Sequence, residues 1–140
     1  SWKAIISEIK NLKKGTKVGY DLTEELKRDS KIAIVPIGYW HGYPRLLSRK
    51  GKLNIFGKLV KVMGNVSMDM IMIDVTGAEG VKVGDEVAII GGDYGHFAEA
   101  DMMASDADTI NYEIVTRINP IIKRFYRINP IVKRFLVGKS

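Results

Sequence analysis

Apolar residues along this chain fall into short runs with a period of two, cut by glycines and charged turns, which is the pattern of half-buried β-strands. Residues 1–14 alternate apolar with basic, and Ala4, Ile5, Ile6, Ile9 and Leu12 admit either a strand or an amphipathic turn of helix before Gly15 closes the segment. Lys17 to Asp21 reads as a strand, and Leu22 to Ser30, with acids and bases around Leu22 and Leu26, as a solvated loop or single turn. A β-rich run starts at Ile32, with Pro36 admissible only at an edge or an irregularity. Ser48 to Gly51 is a turn, and Lys52 to Ile55 and Lys58 to Met63 predict a hairpin around Phe56 and Gly57. After Gly64, a strand from Asn65 to Asp74 would send Val66, Met68, Met70 and Met72 to one face and Ser67, Asp69, Ile71 and Ile73 to the other. On that reading the methionines are core filler and Asp69 is a buried acid in need of partners. Glu86 to Ile90 is another short strand, ended by Gly91 and Gly92. Helical spacing appears only from Phe97 to Ala107, and Asp108 and Thr109 offer an N-cap for a second short helix over 110–115. The order predicts a mainly β fold, a small β-barrel domain with two short helices near its C-terminal part, at about residues 97–107 and 109–116.

The 140 residues suit one domain with a core of its own. The chain has no cysteine, which excludes disulfides, thiolate nucleophiles and thiolate metal sites, and with only His41 and His96 no protein-built metal site is expected. No apolar run approaches the roughly 20 residues of a membrane helix and no signal-peptide pattern opens the chain, so a cytoplasmic protein without a membrane partner is expected. The net charge of +6 suggests nucleic acid until it is located. Seven of the 22 Lys and Arg lie in residues 117–140, which hold no acid, leaving 15 bases against 16 acids in residues 1–116. Without interleaved aromatic platforms, that basic tail does not support a nucleic-acid partner. The tail is also repeated: Arg117-Ile-Asn-Pro-Ile-Ile-Lys-Arg-Phe125 returns as Arg127-Ile-Asn-Pro-Ile-Val-Lys-Arg-Phe135, too short a unit for a solenoid.

Candidate chemistry concentrates between Ile32 and Arg45, where an apolar strand empties into a turn carrying Tyr39, Trp40, His41, Tyr43 and Arg45. Gly38 and Gly42 can take positive φ and Pro44 fixes it, so the turn reads either as the rim of a binding cleft or as aromatic cover over a barrel end.

Four motifs in order, Val18-Gly-Tyr20, Pro36-Ile-Gly-Tyr-Trp-His-Gly42 with Pro44-Arg45, Ser67-Met-Asp-Met70, and Thr109-Ile-Asn-Tyr-Glu113, make the chain resemble the C-terminal β-domain of bacterial alanine racemases. The resemblance covers residues 1–126 and leaves 127–140 as a basic tail repeating 117–125. It implies a homodimeric, pyridoxal 5'-phosphate-dependent enzyme that interconverts L- and D-alanine for peptidoglycan synthesis. It also implies a partner N-terminal α/β-barrel domain carrying the lysine to which the cofactor attaches, so this domain alone is not expected to be active. Tyr20 matches the catalytic tyrosine that removes the Cα proton of L-alanine in the partner subunit's site. Met68 matches the residue whose backbone N–H meets the substrate carboxylate, with Asp69 beside it. Tyr112 matches a tyrosine that touches the cofactor phosphate, and Tyr39 and Arg45 match the substrate entryway, together with His41. Two positions depart from the family pattern: His41 stands where aspartate is usual, and Asn65 where many members have arginine. The alternative is a stand-alone β-barrel binding module that keeps the fold without racemase activity.

Overall fold

A computed structural model of the chain describes residues 1–92 and 99–125. Among the described residues nine strands are formed: β1 Trp2–Ile5, β2 Glu8–Leu12, β3 Lys17–Val18, β4 Glu24–Glu25, β5 Ser30–Val35, β6 Lys52–Ile55, β7 Lys58–Met63, β8 Ile71–Asp74 and β9 Glu86–Ile90. Two helices follow, α1 Ala100–Asp106 and α2 Asn111–Thr116. Seven strands build one antiparallel sheet in the order β1-β9-β6-β7-β8-β5-β2, and β3 pairs only with β4. The outermost strands of the large sheet are two stretches of one segment, Trp2 to Leu12. Its first half pairs with β9 and its second half with β5, and at the crossing Ile6 N–H donates to Asp85 O at 2.9 Å and Ser7 N–H to Ile34 O at 3.0 Å. One strand that changes partner halfway curls the sheet into a barrel-like fold and leaves little free edge.

The strand β5 lies between β8 and β2, and its alternation explains why it reads as a continuous apolar run. Ala33 and Val35 face the main core with Leu53, Val62, Ile71 and Ile89, while Ile32 faces outward into a second small core with Val18, Leu26 and Met63. That second core is roofed by the β3–β4 flap, so both faces of β5 are covered. The segment 22–30 is therefore not the solvated loop the charge pattern suggests: Leu26 is buried against Ile32, and β4 lies inside the segment. Burying side chains of this size is worth about 1.5–3 kcal/mol each, enough to hold two strands too short to persist alone.

The hairpin over 52–63 and the strand over 86–90 form at the expected residues, and Pro36 stands just past the end of β5. The helix α1 lies inside the expected span, although Phe97, like His96 and the second tail copy from Arg127, falls outside the described residues. Asp108 does not act as an N-cap. It takes a left-handed φ of 54° and closes α1, with its N–H on Ser105 O and the Thr109 N–H on Ala104 O at 2.9 Å, so α2 starts from Ile110 without a side-chain cap.

Tyr43 is fully buried, and its hydroxyl has no hydrogen-bond partner among the described residues. Burial, with the nearby charge of Asp106, pushes the phenol well above its ordinary range. A Cβ at Gly51 would collide with that oxygen. Tyr43→Phe should match or exceed the parent in stability by up to about 1 kcal/mol, since it removes an unpaired polar atom. Gly51→Ala should cost about 1–3 kcal/mol by overpacking. Combining the two should recover part of that loss, and urea unfolding midpoints will read all three.

Asp74 at the end of β8 accepts hydrogen bonds from the Thr76 amide and hydroxyl and from Arg28. Burial works to raise its pKa, but those bonds and the Arg28 charge outweigh it and hold the carboxyl below its ordinary 3.8. Its contribution is complete above 3.8 and is lost as pH falls through the lowered folded value. Asp74→Asn should therefore be less stable than the parent at neutral pH, with the gap closing as unfolding is followed into acid.

Candidate functional site

Tyr20 sits in the link between β3 and β4, and two glycines decide where. Gly19 has φ 83° and Gly64 φ 69°, and a Cβ on either would run into the other's backbone, so the two chains touch at a distance open only to glycine. Beside that contact, Tyr20 N–H donates to Asn65 O at 3.2 Å in an isolated bridge, and Gly19 N–H reaches the Met72 sulfur at 3.3 Å. The backbone is fixed while the residue is 55% exposed.

The opposite wall is a tight turn. Ser67 Oγ accepts from Met70 N–H at 3.0 Å and donates to Met70 O at 2.9 Å, bending the chain before β8 begins at Ile71. The expected strand from Asn65 is therefore broken, and the predicted faces do not hold. Val66, Ile71 and Ile73 are buried, Met68 and Met70 are 48% and 44% exposed, and Asp69 is exposed rather than a buried acid. A serine side chain that closes a turn on itself outcompetes the extended conformation the apolar alternation suggested. The carbonyls of Ser67 and Met68 accept the Tyr39 and Trp40 amides at 3.1 Å each, which docks the aromatic turn Tyr39–His41 onto this wall. Gly38 permits the docking through lack of bulk rather than positive φ: its φ is −152°, and a Cβ would strike both carbonyls.

These pieces enclose a cleft of about 400 Å³ that brings together Tyr20, Tyr39, Met68 and Asp69. Asn65, Met70 and Met72 also line it, which the sequence reading did not assign; the glycines directly before Tyr20 and Asn65 were the available signal. No lysine or arginine lines the cleft, and the Met68 and Asp69 amides have no hydrogen-bond partner among the described residues. Among those residues no group of acids and histidines could hold a metal ion.

Three expected site residues stand apart from the cleft. His41 turns its Nδ1 to the Gly38 N–H at 3.0 Å and packs edge-on to Trp40 at 5.1 Å, so its imidazole braces the turn. Arg45 is exposed in the next turn, Arg45–Leu47. Tyr112 lies on α2, 72% exposed, on a different surface.

A sequence profile of the family described as alanine racemase, C-terminal domain, matches residues 1–126. The chain belongs to that family. An alanine racemase of Halothermothrix orenii is 44% identical over 127 residues, covering 91% of this chain but 34% of its own. The crystal structure of alanine racemase from a D-cycloserine-producing Streptomyces lavendulae superposes with a TM-score of 0.84 at 31% identity, over 91% of this chain and 33% of that one. A Bartonella henselae alanine racemase structure with covalently bound pyridoxal phosphate gives 0.82 at 32% identity, over 89% and 34%. This racemase C-terminal domain thus spans about a third of the length of the relatives it matches.

Gly38→Ala should separate the aromatic turn from the Ser67–Met70 wall. Expected is a loss of about 1–3 kcal/mol in urea unfolding together with altered Trp40 fluorescence; an unchanged spectrum would mean that the turn docks by other means.

Proposed function

We propose that this chain supplies half of an alanine racemase active site, with Tyr20 as the base that takes the Cα proton of L-alanine. The observation that carries the reading is an exposed tyrosine on a backbone pinned at Gly19–Gly64, in a cleft that, among the described residues, has two amides without partners and no lysine or arginine. The Met68 amide, with Asp69 beside it, receives the substrate carboxylate; an N–H donor suits an anion there without needing the methionine side chain. Tyr39 lines the approach, and His41 and Arg45 complete the entryway, His41 by bracing the turn that carries Tyr39.

The cleft is suited to sharing the cofactor rather than holding it. Among the described residues no lysine for attachment lines it, and the group matched to the phosphate, Tyr112, is exposed and lines a separate cleft. When bound, pyridoxal 5'-phosphate supplies the electron sink for the charge left at Cα. The attachment lysine comes from an N-terminal α/β-barrel domain, and Tyr20 and Tyr112 serve the two different sites of a homodimer, in keeping with their separate surfaces. The reaction yields D-alanine for peptidoglycan in the cytoplasm; among the described residues no helix is long and apolar enough to cross a membrane.

In the full-length enzyme carrying this domain, Tyr20→Phe should reduce turnover by about 10² to 10⁴ while cofactor absorbance and dimerisation persist. Because the barrel lysine serves the other face, exchange of the Cα proton with solvent should fall far more for L-alanine than for D-alanine. Equal slowing of both enantiomers would remove Tyr20 from the L-face role.

A further inference from the structure

We infer that Thr23, supported by Glu24, is a positioning residue for Tyr20, its hydroxyl standing in for a missing backbone hydrogen bond. The inference rests on the reading of Tyr20 as the L-face base. In an antiparallel hydrogen-bonded pair, two residues exchange both N–H···O bonds. Tyr20 and Asn65 make only one of them directly, Tyr20 N–H to Asn65 O at 3.2 Å. The return bond runs through Thr23: Asn65 N–H donates to Thr23 Oγ1 at 2.9 Å, and that hydroxyl donates to Tyr20 O at 3.1 Å. One hydroxyl acting as both acceptor and donor satisfies two backbone groups and sets the width of the bridge at the residue that carries the phenol.

The neighbouring residue secures the other side of the same strand. Glu24 Oε2 accepts the Gly64 N–H at 2.6 Å while Oε1 pairs with Lys61 at 3.2 Å, and the carboxylate side chain is only 19% exposed. Thr23 and Glu24 therefore grip Gly64 and Asn65, the two residues against which Gly19 and Tyr20 rest. Such a grip is needed because the chain between Tyr20 and Thr23 is strained: Asp21 and Leu22 both hold left-handed backbone, at φ 60° and 52°, unfavourable for residues with side chains. Leu22 is 62% exposed, so packing does not impose that conformation. The link is held by Leu22 N–H on Gly19 O at 3.0 Å and by the Thr23 hydroxyl. Without the hydroxyl, the bridge either closes to a direct bond or opens to water, and in both cases the phenol moves relative to a substrate held by the opposite wall.

The test is made in the full-length enzyme with Thr23→Val, which keeps the shape and deletes the hydroxyl, Thr23→Ser, which keeps the hydroxyl, and Thr23→Ala as a second hydroxyl-free variant should valine not fold. The readout is Cα exchange with solvent, measured separately for L- and D-alanine. Thr23→Val should slow L-alanine exchange by about 10-fold or more, as displacement of a reacting group does, and leave D-alanine exchange within about 2-fold. Thr23→Ser should restore the L-face rate, and Thr23→Val should add little further loss in a Tyr20→Phe background, since both changes act through one group. Equal slowing of both enantiomers, no slowing, or full additivity with Tyr20→Phe would overturn the positioning role. If Tyr20→Phe itself leaves the L-to-D ratio unchanged, the reading of Tyr20 fails first, and that result is distinct from a selective Tyr20→Phe with a silent Thr23→Val.

Discussion

The contact between Gly19 and Gly64 is the constraint on which the cleft depends. Two backbones meet there with no room for a Cβ on either, and everything on the two sides of the site is measured from that point. Tyr20 follows one glycine and Asn65 the other, so a change in separation would move the phenol and one cleft wall together. Neither hydrogen bonding nor packing alone supplies the contact. The flap strands β3 and β4 are two residues each, and they stay down because Val18 and Leu26 reach the outward-facing Ile32 and Met63 of the barrel. A satellite core on the other face of β5 from the main one therefore sets the position of Tyr20.

The same logic applies to the other wall, where polar groups do the holding. Ser67 folds its segment into a turn, the freed carbonyls of Ser67 and Met68 take the Tyr39 and Trp40 amides, and His41 closes the aromatic turn on Gly38. From outside, Asn119 adds a third brace, its N–H on His41 O at 3.0 Å and its Nδ2 on Trp40 O at 2.9 Å. Ile118 and Ile122 pack against the main core, so the first copy of the basic repeat is structural in its middle, with its charges left at the surface.

Tyr20, Met68 and Met70 are all exposed along one cleft, where isolated apolar exposure is ordinary but a contiguous group of such residues marks a surface for binding. The cleft walls are hydrogen-bonded at Tyr20–Asn65 and at Ser67–Met70, while the Met68 and Asp69 amides between them have no hydrogen-bond partner among the described residues. His41 belongs to the wall rather than to the open part of the cleft, its Nδ1 accepting the Gly38 N–H.

The sequence by itself determined the local elements whose cause is local. Period-two runs with turn residues between them specified the 52–63 hairpin, the 86–90 strand and a mainly β fold, because side-chain alternation and glycine φ are properties of a few consecutive residues. Ordered motifs also singled out Tyr20, Tyr39, Met68 and Asp69, four residues that line one cleft. Only tertiary structure decided the rest. Leu26 reads as part of a charged loop until Ile32 appears beneath it, and Asn65 to Asp74 reads as one strand until Ser67 meets its own Met70 amide and the aromatic turn claims two carbonyls. Met68 and Met70 turn outward for that reason, against the usual fate of methionine in an apolar run. Thr23 carried no signal at all, since a hydroxyl that completes a bridge between residues 20 and 65 is visible only once those two residues are side by side.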